Sequence, residues 1–471
     1  MKSDNQAAPE TKQTTVITRL EATSDTMTGR GGLNLLVKYI EAIGISSLVA
    51  SRFSHFRKNK KGARLVSLFK QILCFFFDGT SHAVSYFDDL KKDGGYAAII
   101  EEHQDNLVSS HQIKRFLGCF SPVCGLSFRW VLKQLFVWRL QIEQPTLLIW
   151  MLDTMVMDND TARKREGVKV TYKKKKGFQP LHLIWNGKII DALFRGGSTH
   201  GNSGDGAKNL LTGMVKLVRK RYSQSIPIII RMDSGFLDIK ILKALDKLGV
   251  GFICSGKMYT TVKDYIAASE TQWQIYDNGH QRWDYQEFGF RCDKWDCFYR
   301  AFYTRLHQQG RQFVLDFARP DNVILTNLGT NDVVSQQLLD AGHDELLKEW
   351  HIITNHHLRG GDELPHRGLK EFGSQRLPFQ KFAMNTAWYY VMVIAFFLFE
   401  CFKEDHLEGL VGIGAYPNTV RRLIIDIAAK IVKKSRYITL KVTQAIMDRL
   451  NFKLLWNTCQ SVPLTVMSVL A

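Results

Sequence analysis

The clearest strand signal in the chain is the uninterrupted apolar stretch Leu147-Leu148-Ile149-Trp150-Met151-Leu152, which ends at Asp153. Its length fits a strand and is short for a helix. A strand that is apolar at every position is typical of one that is covered on both faces of a sheet. The stretch therefore predicts the central strand of an α/β sheet, with a carboxylate at its carboxyl end.

Further strand and helix signals follow this stretch in alternating order. The turn signal Asn186-Gly187 separates two apolar runs and predicts a hairpin between them. A second apolar strand ends at Asp233-Ser234-Gly235. The predicted elements are strands at 181–185 and 189–194, a glycine-rich loop at 196–206 that leads into a helix, a strand at 226–232, a helix at 237–248 and a strand at 251–254.

Two of these strands end in aspartates that we expect to face each other. Parallel neighbours bring their carboxyl ends to the same edge of a sheet, which is where open α/β sheets place their sites. Asp153 and Asp233 hold these positions. A third carboxylate on a later helix would complete the set, and Glu363 is the candidate.

The segment around Glu363 carries charges in a spaced array. It reads His356-His357-Leu358-Arg359-Gly360-Gly361-Asp362-Glu363 and is followed by Lys370. If the chain is helical after the two glycines, Glu363 and Lys370 lie on one face, two turns apart. Pro365 fits the first turn of such a helix. Arg359 is a planar phosphate donor just upstream. An ordinary solvated helix face is the alternative.

The composition indicates a polyanionic partner. The chain has 63 Lys and Arg residues against 45 Asp and Glu, a formal charge of +18. Nucleic acid is the first candidate and an anionic membrane surface the second. With 471 residues, 45% of them hydrophobic, the chain predicts a globular protein of two to four structural units.

Membrane and metal-module interpretations have less support. The most apolar stretch, 388–399, is shorter than a bilayer span and predicts a buried helix. The polar start of the chain, 1–15, has no apolar signal core, which favours a cytoplasmic protein. The eight cysteines form no CxxC pair and are expected to be reduced thiols. A zinc site from Cys292, Cys297 and His280 can be drawn, but its spacing fits no common module.

The chain is predicted to divide into several parts. Helical periodicity marks an N-terminal domain whose basic clusters, such as Arg57-Lys58-Asn59-Lys60-Lys61, suit either DNA contact or a solvated loop. Aromatic residues recur in an insertion, where core packing is favoured over base stacking. The predicted parts are a flexible tail at 1–17, a helical domain at 18–142, an α/β core at 143–256, a β-rich insertion at 257–345, the rest of the core at 346–408, and a helical C-terminal segment at 409–471.

Three carboxylates on separate elements suit phosphodiester chemistry. Cleavage and transfer at a phosphodiester are well served by two divalent cations about 3.5 to 4 Å apart. Carboxylate oxygens are the hard ligands that Mg²⁺ prefers. A single aspartate at a strand end is more often a cap or turn residue, so the prediction depends on the combination of Asp153, Asp233 and Glu363.

Three motifs and the spaced array together resemble a known family. The motifs are Leu152-Asp153-Thr154, Gly177-Phe178-Gln179-Pro180-Leu181 and Arg231-Met232-Asp233-Ser234-Gly235-Phe236. They resemble the DDE transposases of bacterial insertion sequences, within them the superfamily with a Tyr, Arg, Glu, Lys signature, and most closely the insertion sequence 1380 branch. Arg359, Glu363 and Lys370 match the signature's spacing. His356 stands at the Tyr position and departs from it.

The resemblance implies a fold and a mechanism. The implied fold is a ribonuclease-H-like core with an N-terminal helical domain and a β-rich insertion before the catalytic glutamate. Asp153, Asp233 and Glu363 would be the catalytic metal ligands, for Mg²⁺ with Mn²⁺ as a substitute. Arg359, Lys370 and His356 would bind DNA phosphates.

The resemblance also implies partners and a place of action. The reaction would be cut-and-paste transposition through hairpin ends, on double-stranded terminal inverted repeats and target DNA. A homodimer would hold the two ends, in the nucleoid of a bacterial cytoplasm and not at a membrane.

Several weaker assignments and two other functions stay open. The basic stretch 173–176 could follow a DNA backbone or be a solvated loop, and Trp388 could stack a displaced base or pack in the core. Asp158 and Asp160 are expected beyond the metal site. A DNA-binding protein of this fold without chemistry is one alternative function. A metal-dependent nuclease that does not join strands is the other.

Overall fold

The computed structural model describes residues 17, 19–56, 62–162, 164–277, 279, 282–307, 321–358 and 364–470. Within these ranges the protein is a mixed α/β structure. Its strands are β1 (Thr26–Thr28), β2 (Leu148–Thr154), β3 (Met157–Asp158), β4 (Lys169–Val170), β5 (Lys176–Phe178), β6 (Leu181–Trp185), β7 (Lys188–Leu193), β8 (Ile228–Met232), β9 (Gly251–Ser255), β10 (Gln274–Asp277), β11 (Arg282–Phe290), β12 (Tyr299–Leu306), β13 (Asn322–Thr326), β14 (Ala429–Lys434) and β15 (Tyr437–Lys441).

Helices lie before, between and after many of these strands along the chain. They are α1 (Leu33–Ala42), α2 (Ile45–Phe53), α3 (Leu65–Asp78), α4 (Tyr86–Leu90), α5 (Gly94–Ile99), α6 (Ser110–Leu117), α7 (Gly125–Glu143), α8 (Gly206–Arg221), α9 (Ile239–Lys247), α10 (Thr260–Ala268), α11 (Asp332–Asp340), α12 (Glu349–His357), α13 (Leu364–Gly373), α14 (Phe382–His406), α15 (Pro417–Val420), α16 (Gln444–Arg449) and α17 (Phe452–Thr458).

A nine-stranded sheet organises the centre of the protein. Its strand order is β10-β11-β12-β13-β9-β8-β2-β6-β7. The predicted apolar strand is β2, in the interior of this sheet, and it is parallel to β8, which is parallel to β9. The predicted hairpin is β6 and β7, which continue the sheet on the other side of β2 in antiparallel fashion. The predicted strands and helices from 147 to 255 thus occur in the predicted order, and the structure adds the short strands β3, β4 and β5 between β2 and β6.

The block at 257–345 is rich in strands but does not form a sheet of its own. Strand β13 pairs with β9, so β10 to β13 extend the central sheet by four antiparallel strands. Most aromatics of this block are buried, among them Trp283, Trp295 and Phe302, whereas Phe298 is exposed. Core packing therefore explains most of the aromatic recurrence, as the sequence favoured.

The long helix α14 is the centre of the helical layer. It packs against α3, α7 and β7, and nearly all of its residues from Asn385 to Lys403 are buried. Its 25 residues make it long and apolar enough to cross a membrane, although 83% of its most apolar window is buried inside the protein. The expectation of a buried helix is confirmed, but the expectation that it is too short to span a bilayer is wrong, because its flanking polar turns are helical too.

Trp388 lies on this helix. Only 2% of it is exposed, and it packs against Phe75, Phe76 and Phe379. Core packing thus accounts for Trp388.

The C-terminal part departs from the predicted helical segment. Strands β14 and β15 form a hairpin there, and β1 from the other end of the chain adds a third strand through Thr26, Met27 and Thr28. The alternation of buried Ala429 and Ile431 with more exposed neighbours gives β14 the two-residue period of a half-covered strand. The basic residues Lys433 and Lys434 therefore lie on a strand, within a segment that was predicted to be helical.

The N-terminal region from α1 to α7 is helical after the short strand β1. Its helices share one hydrophobic core with α14 and the central sheet. Of the predicted tail, residues 1–16 lie outside the described residues, as does the basic cluster at 57–61.

The cysteines agree with the expectation of reduced thiols. All eight are free. Cys119 is exposed just after a helix, Cys292 and Cys297 are half-buried, and the other five are buried. Among the residues that the structure describes, no group of three His, Cys, Asp or Glu side chains could hold a metal ion. His280, which completed the drawn zinc site, lies outside them.

Candidate active site

Three parallel strands bring polar residues to one edge of the central sheet. In β2 and β8, Leu152 is paired with Met232, and in β8 and β9, Met232 is paired with Cys254. The next residues along these strands are Asp153, Asp233 and Ser255. Since neighbouring strands are about 4.8 Å apart, the two aspartates lie side by side at this edge. The structure thus brings together the two carboxylates that the sequence predicted to face each other.

Local backbone geometry fixes each aspartate. Asp153 Oδ1 accepts a 2.6 Å hydrogen bond from the backbone N–H of Thr154, and its side chain is 25% exposed. Asp233 caps a short 3₁₀ turn, Ser234–Phe236, where its Oδ1 accepts from the backbone N–H of Gly235 at 2.9 Å.

Helix α12 ends at the same edge. His356 Nε2 lies 2.9 Å from Ser255 Oγ, and the guanidinium of Arg231 donates to the carbonyl of Asn355 at 3.4 Å. These contacts tie the end of α12 to β8 and β9. His356 is only 9% exposed, so its ring is largely enclosed where the sequence analysis expected a phosphate contact.

Two of the predicted site residues, Arg359 and Glu363, lie outside the described residues. The chain is described again from Leu364, where α13 begins, with Pro365 in its first turn. A helix over this part of the signature is thus confirmed. Lys370 lies on α13 and is partly exposed.

His366 on α13 connects this helix to Asp153. Its Nδ1 lies 3.6 Å from Asp153 Oδ2, and its ring meets the ring of His182 edge to face at 4.9 Å. His182 Nε2 in turn lies 2.5 Å from the hydroxyl of Tyr389 on α14. Burial, aided by the positive charges of Lys370 and Lys173, lowers the pKa of His366 to about 3. Its imidazole is therefore neutral at physiological pH.

A basic hairpin overhangs the aspartates. Strands β3, β5 and β4 form a small antiparallel sheet directly after β2, and the turn between β4 and β5 carries exposed Lys173, Lys174 and Lys175. Asp158 and Asp160, expected to lie beyond the metal site, contact this hairpin. Lys175 pairs with Asp158 at 3.1 Å, and the backbone N–H of Lys176 donates to Asp160 at 3.2 Å.

Tyr172 places this hairpin close to both aspartates. Partial burial, followed by the negative charges of Asp153 and Asp233, raises the pKa of Tyr172 against an opposing effect of Lys173. The side chain of Tyr172 is 60% exposed. A phenol and several ammonium groups are thus presented to solvent beside the carboxylate pair.

The glycine-rich loop forms another wall. Arg195 donates to the carbonyls of Gln179, His200 and Gly201, which holds the loop against the sheet. A side chain at Gly201 would meet the carbonyl of Gly235 at 2.9 Å. The loop therefore lies directly against the turn that follows Asp233.

Sequence reasoning missed His366, Tyr172 and the position of the glycine-rich loop. Tyr172 adjoins the lysine run, which was the available signal for its hairpin. His366 lies one helical turn before Lys370, on the same face of α13, so the helical spacing that singled out Lys370 could also have found it.

The family model for the transposase DDE domain, group 1, matches residues 11–463. No curated protein matches. Among solved structures, the fold is similar to the piggyBac transposase in its synaptic complex with hairpin DNA, with a TM-score of 0.38 and 11% identity over 95% of this chain and 86% of that chain.

The family match spans nearly all of the 471 residues. It includes both aspartates, the basic hairpin and the helices α12 and α13. The chain belongs to the transposase DDE domain group 1 family and is a DDE-type transposase.

Proposed function

We propose that this transposase cleaves and joins DNA with Mg²⁺ at the terminal inverted repeats of a bacterial insertion sequence of the 1380 family. The observation that carries this proposal is that Asp153 and Asp233 directly follow Leu152 and Met232, which are paired in adjacent parallel strands. Two partly exposed carboxylates side by side form the kind of oxygen ligand set that divalent cations bind.

The donor set fits a divalent cation. Asp153 and Asp233 lie at the same edge of the sheet, where Oδ1 of each accepts a hydrogen bond from a backbone N–H, and carboxylate oxygens are hard ligands that suit such an ion. Glu363 immediately precedes α13 in the sequence and is proposed as the third ligand. When bound, such ions polarise the phosphodiester and lower the pKa of the attacking hydroxyl group. Mn²⁺ is proposed as a substitute for Mg²⁺.

The remaining residues of the site would hold the DNA. Arg359 and Lys370 are proposed to bind phosphates on either side of the scissile bond, as a planar fork and a point charge. His356 is proposed for the same role with a restricted reach, because its ring is enclosed next to Ser255. Lysines of the basic hairpin would neutralise further phosphates and add salt-sensitive affinity.

We infer a ribonuclease-H-like core from the five strands β7, β6, β2, β8 and β9. Their order combines an antiparallel hairpin with three parallel strands, and Asp153 lies on the middle strand while Asp233 directly follows its parallel neighbour. From the match of Arg359, Glu363 and Lys370 to the signature's spacing we propose a cut-and-paste pathway through hairpin ends, carried out by a homodimer that holds both repeats and target DNA in the bacterial nucleoid.

A labelled DNA that carries the two element ends and their flanks tests this function. With Mg²⁺, the protein is expected to produce nicked, hairpin and joined products, and Glu363→Gln is expected to bind the DNA without producing them. Binding without cleavage by both proteins would favour a DNA-binding protein that performs no chemistry. Cleaved products that are never joined would favour a nuclease.

A further inference from the structure

We propose that His366 is a positioning residue for Asp153, which it holds by a hydrogen bond from Nδ1–H to Oδ2 in the orientation that a divalent cation requires. The inference rests on the proposed function, because it takes Asp153 as a metal ligand. His366 itself would not touch the metal or the DNA.

The distances support a contact between His366 and Asp153 that shortens when a divalent cation binds. His366 Nδ1 is 3.6 Å from Asp153 Oδ2. A hydrogen bond between such atoms is about 2.9 Å long, so a shift of well under 1 Å would form it. Carboxylates that bind metals are commonly oriented by hydrogen bonds from a second layer of residues.

His366 is itself held in place from behind. Only 8% of the residue is exposed, and its ring packs edge to face on His182. His182 lies in β6, opposite Asp153 in the strand pairing, and contacts the hydroxyl of Tyr389 on the buried helix α14. A line of three rings therefore runs from the helical core to the carboxylate.

The chemistry of the ring agrees with a single-donor role. His366 Nε2 is buried, and among the described residues it has no hydrogen-bond partner. A hydrogen on Nε2 would therefore have no acceptor among the described residues. Placing that hydrogen on Nδ1 directs it to Asp153, the only polar contact recorded for this ring among the described residues.

The position of His366 also links two parts of the site. It lies on α13, four residues before Lys370, and the positive charge of Lys370 acts on it. A hydrogen bond to Asp153 would therefore fix α13 against β2. His366 would therefore orient Asp153, a predicted metal ligand, and would also set the position of Lys370, which is predicted to bind DNA phosphate.

Two substitutions separate the donor from the ring. His366→Asn keeps an N–H close to the position of Nδ1 but removes the ring, whereas His366→Phe keeps a ring against His182 and removes the donor. His406→Phe is the matched control, because His406 also has a buried Nε2 without a partner among the described residues but packs against Tyr39, away from the aspartates.

The measurements are Mn²⁺ affinity by electron paramagnetic resonance in the full-length protein without DNA, and cleavage of element-end DNA over a range of Mn²⁺ concentrations. His366→Phe is expected to weaken Mn²⁺ binding about 10- to 100-fold and to shift the Mn²⁺ dependence of cleavage by a similar factor. His366→Asn is expected to recover most of that loss. His406→Phe is expected to bind Mn²⁺ as the unaltered protein does.

Other results would overturn the inference. If His366→Phe binds Mn²⁺ with unchanged affinity, His366 is a packing residue only. The same conclusion follows if this variant loses cleavage equally at every Mn²⁺ concentration and has a lower melting temperature. Asp153→Asn separates this failure from that of the proposed function. If Asp153→Asn binds Mn²⁺ as tightly as the unaltered protein, Asp153 is not a ligand and both proposals fall.

Discussion

Arg421 is a buried cation on which the ends of two helices converge. Its guanidinium donates to the carbonyls of Phe76 and Phe77 at the end of α3 and of Phe372 at the end of α13. Only 4% of the residue is exposed, and burial lowers its pKa to about 10, which leaves it charged at neutral pH. A cation is favourable there because the last carbonyls of a helix lack partners within the helix and carry partial negative charge.

Gly79 completes this arrangement. It ends α3 in the left-handed region with a φ of 61°, and a side chain there would lie 2.0 Å from the guanidinium carbon of Arg421. Both the backbone conformation and the space therefore require glycine.

Arg421→Met is expected to lower the free energy of unfolding by about 3 kcal/mol or more, because several buried carbonyls lose their donor. Chemical denaturation measures the change. The neighbouring Arg422 is exposed, so Arg422→Met is the matched control, with an expected change within about 0.5 kcal/mol. Equal stability of both variants would show that these carbonyl contacts contribute nothing to stability.

The two arginines also show what a sequence can and cannot predict at the scale of residues. A pair of adjacent arginines is typical of a solvated basic surface, whereas Arg421 is buried. Arg421 and Arg422 are the same residue type in the same local sequence. They differ because α3 and α13, from distant parts of the chain, approach Arg421. Asp153 and Asp233 could be predicted because each directly follows an apolar strand run, which is a local signal.

At the scale of elements, the central sheet exceeds the predicted core. The sequence predicted the interior parallel strands and the β6–β7 hairpin, since apolar runs and a turn signal mark them locally. It also predicted a β-rich block at 257–345. It did not predict that β13 pairs with β9, because the pairing of distant strands depends on backbone contacts that leave no local pattern.

The basic hairpin between β4 and β5 is the element with the clearest consequence for DNA affinity. Replacing Lys173, Lys174 and Lys175 together with Gln is expected to weaken DNA binding and to reduce the slope of log affinity against log salt by up to about 2.7, since each neutralised phosphate contributes about 0.9. Fluorescence anisotropy at several salt concentrations measures both quantities.

A control for this prediction removes the same charge elsewhere. Lys216, Lys220 and Lys247 are exposed residues of α8 and α9. The last two lie towards the helix ends that precede β8 and β9, away from the edge that carries the aspartates. Gln at these three positions is expected to leave the salt slope nearly unchanged. An equal loss in both triple variants would indicate general charge attraction without a role for the hairpin.

At the scale of the whole molecule, one hydrophobic core joins the N-terminal helices, α14 and the central sheet. The predicted boundaries at 142 and 408 therefore do not separate independent cores. The apolar stretch in α14 predicted a buried helix, but which layers it would join depends on residues far apart in the chain. β1 and β14, from opposite ends of the chain, pair for the same reason.

His406 makes stability in this core depend on pH. It packs against Tyr39 and Phe402, and burial, partly opposed by Asp405, lowers its pKa. The unfolded chain therefore binds the proton more readily than the folded protein, so stability is present above about pH 6.5 and is lost as the pH falls below it. The slope from one such group is at most about 1.4 kcal/mol per pH unit.

His406→Phe is expected to reduce the loss of stability between pH 7.5 and pH 5.5, because the ring can no longer be protonated. Urea unfolding at the two pH values measures the difference for both proteins. An identical pH dependence in the variant would show that His406 is not among the groups that destabilise the fold in acid.

The most direct test of the central claim, that Asp153 and Asp233 are the catalytic carboxylates, is the rate of Mg²⁺-dependent cleavage of element-end DNA. Asp153→Asn and Asp233→Asn are each expected to lower that rate at least about 100-fold with DNA binding retained, because several kcal/mol of transition-state stabilisation are lost. Asp158→Asn changes a carboxylate that pairs with Lys175 instead, and is expected to cleave at nearly the unaltered rate. Cleavage by either of the first two variants at the unaltered rate would contradict the account.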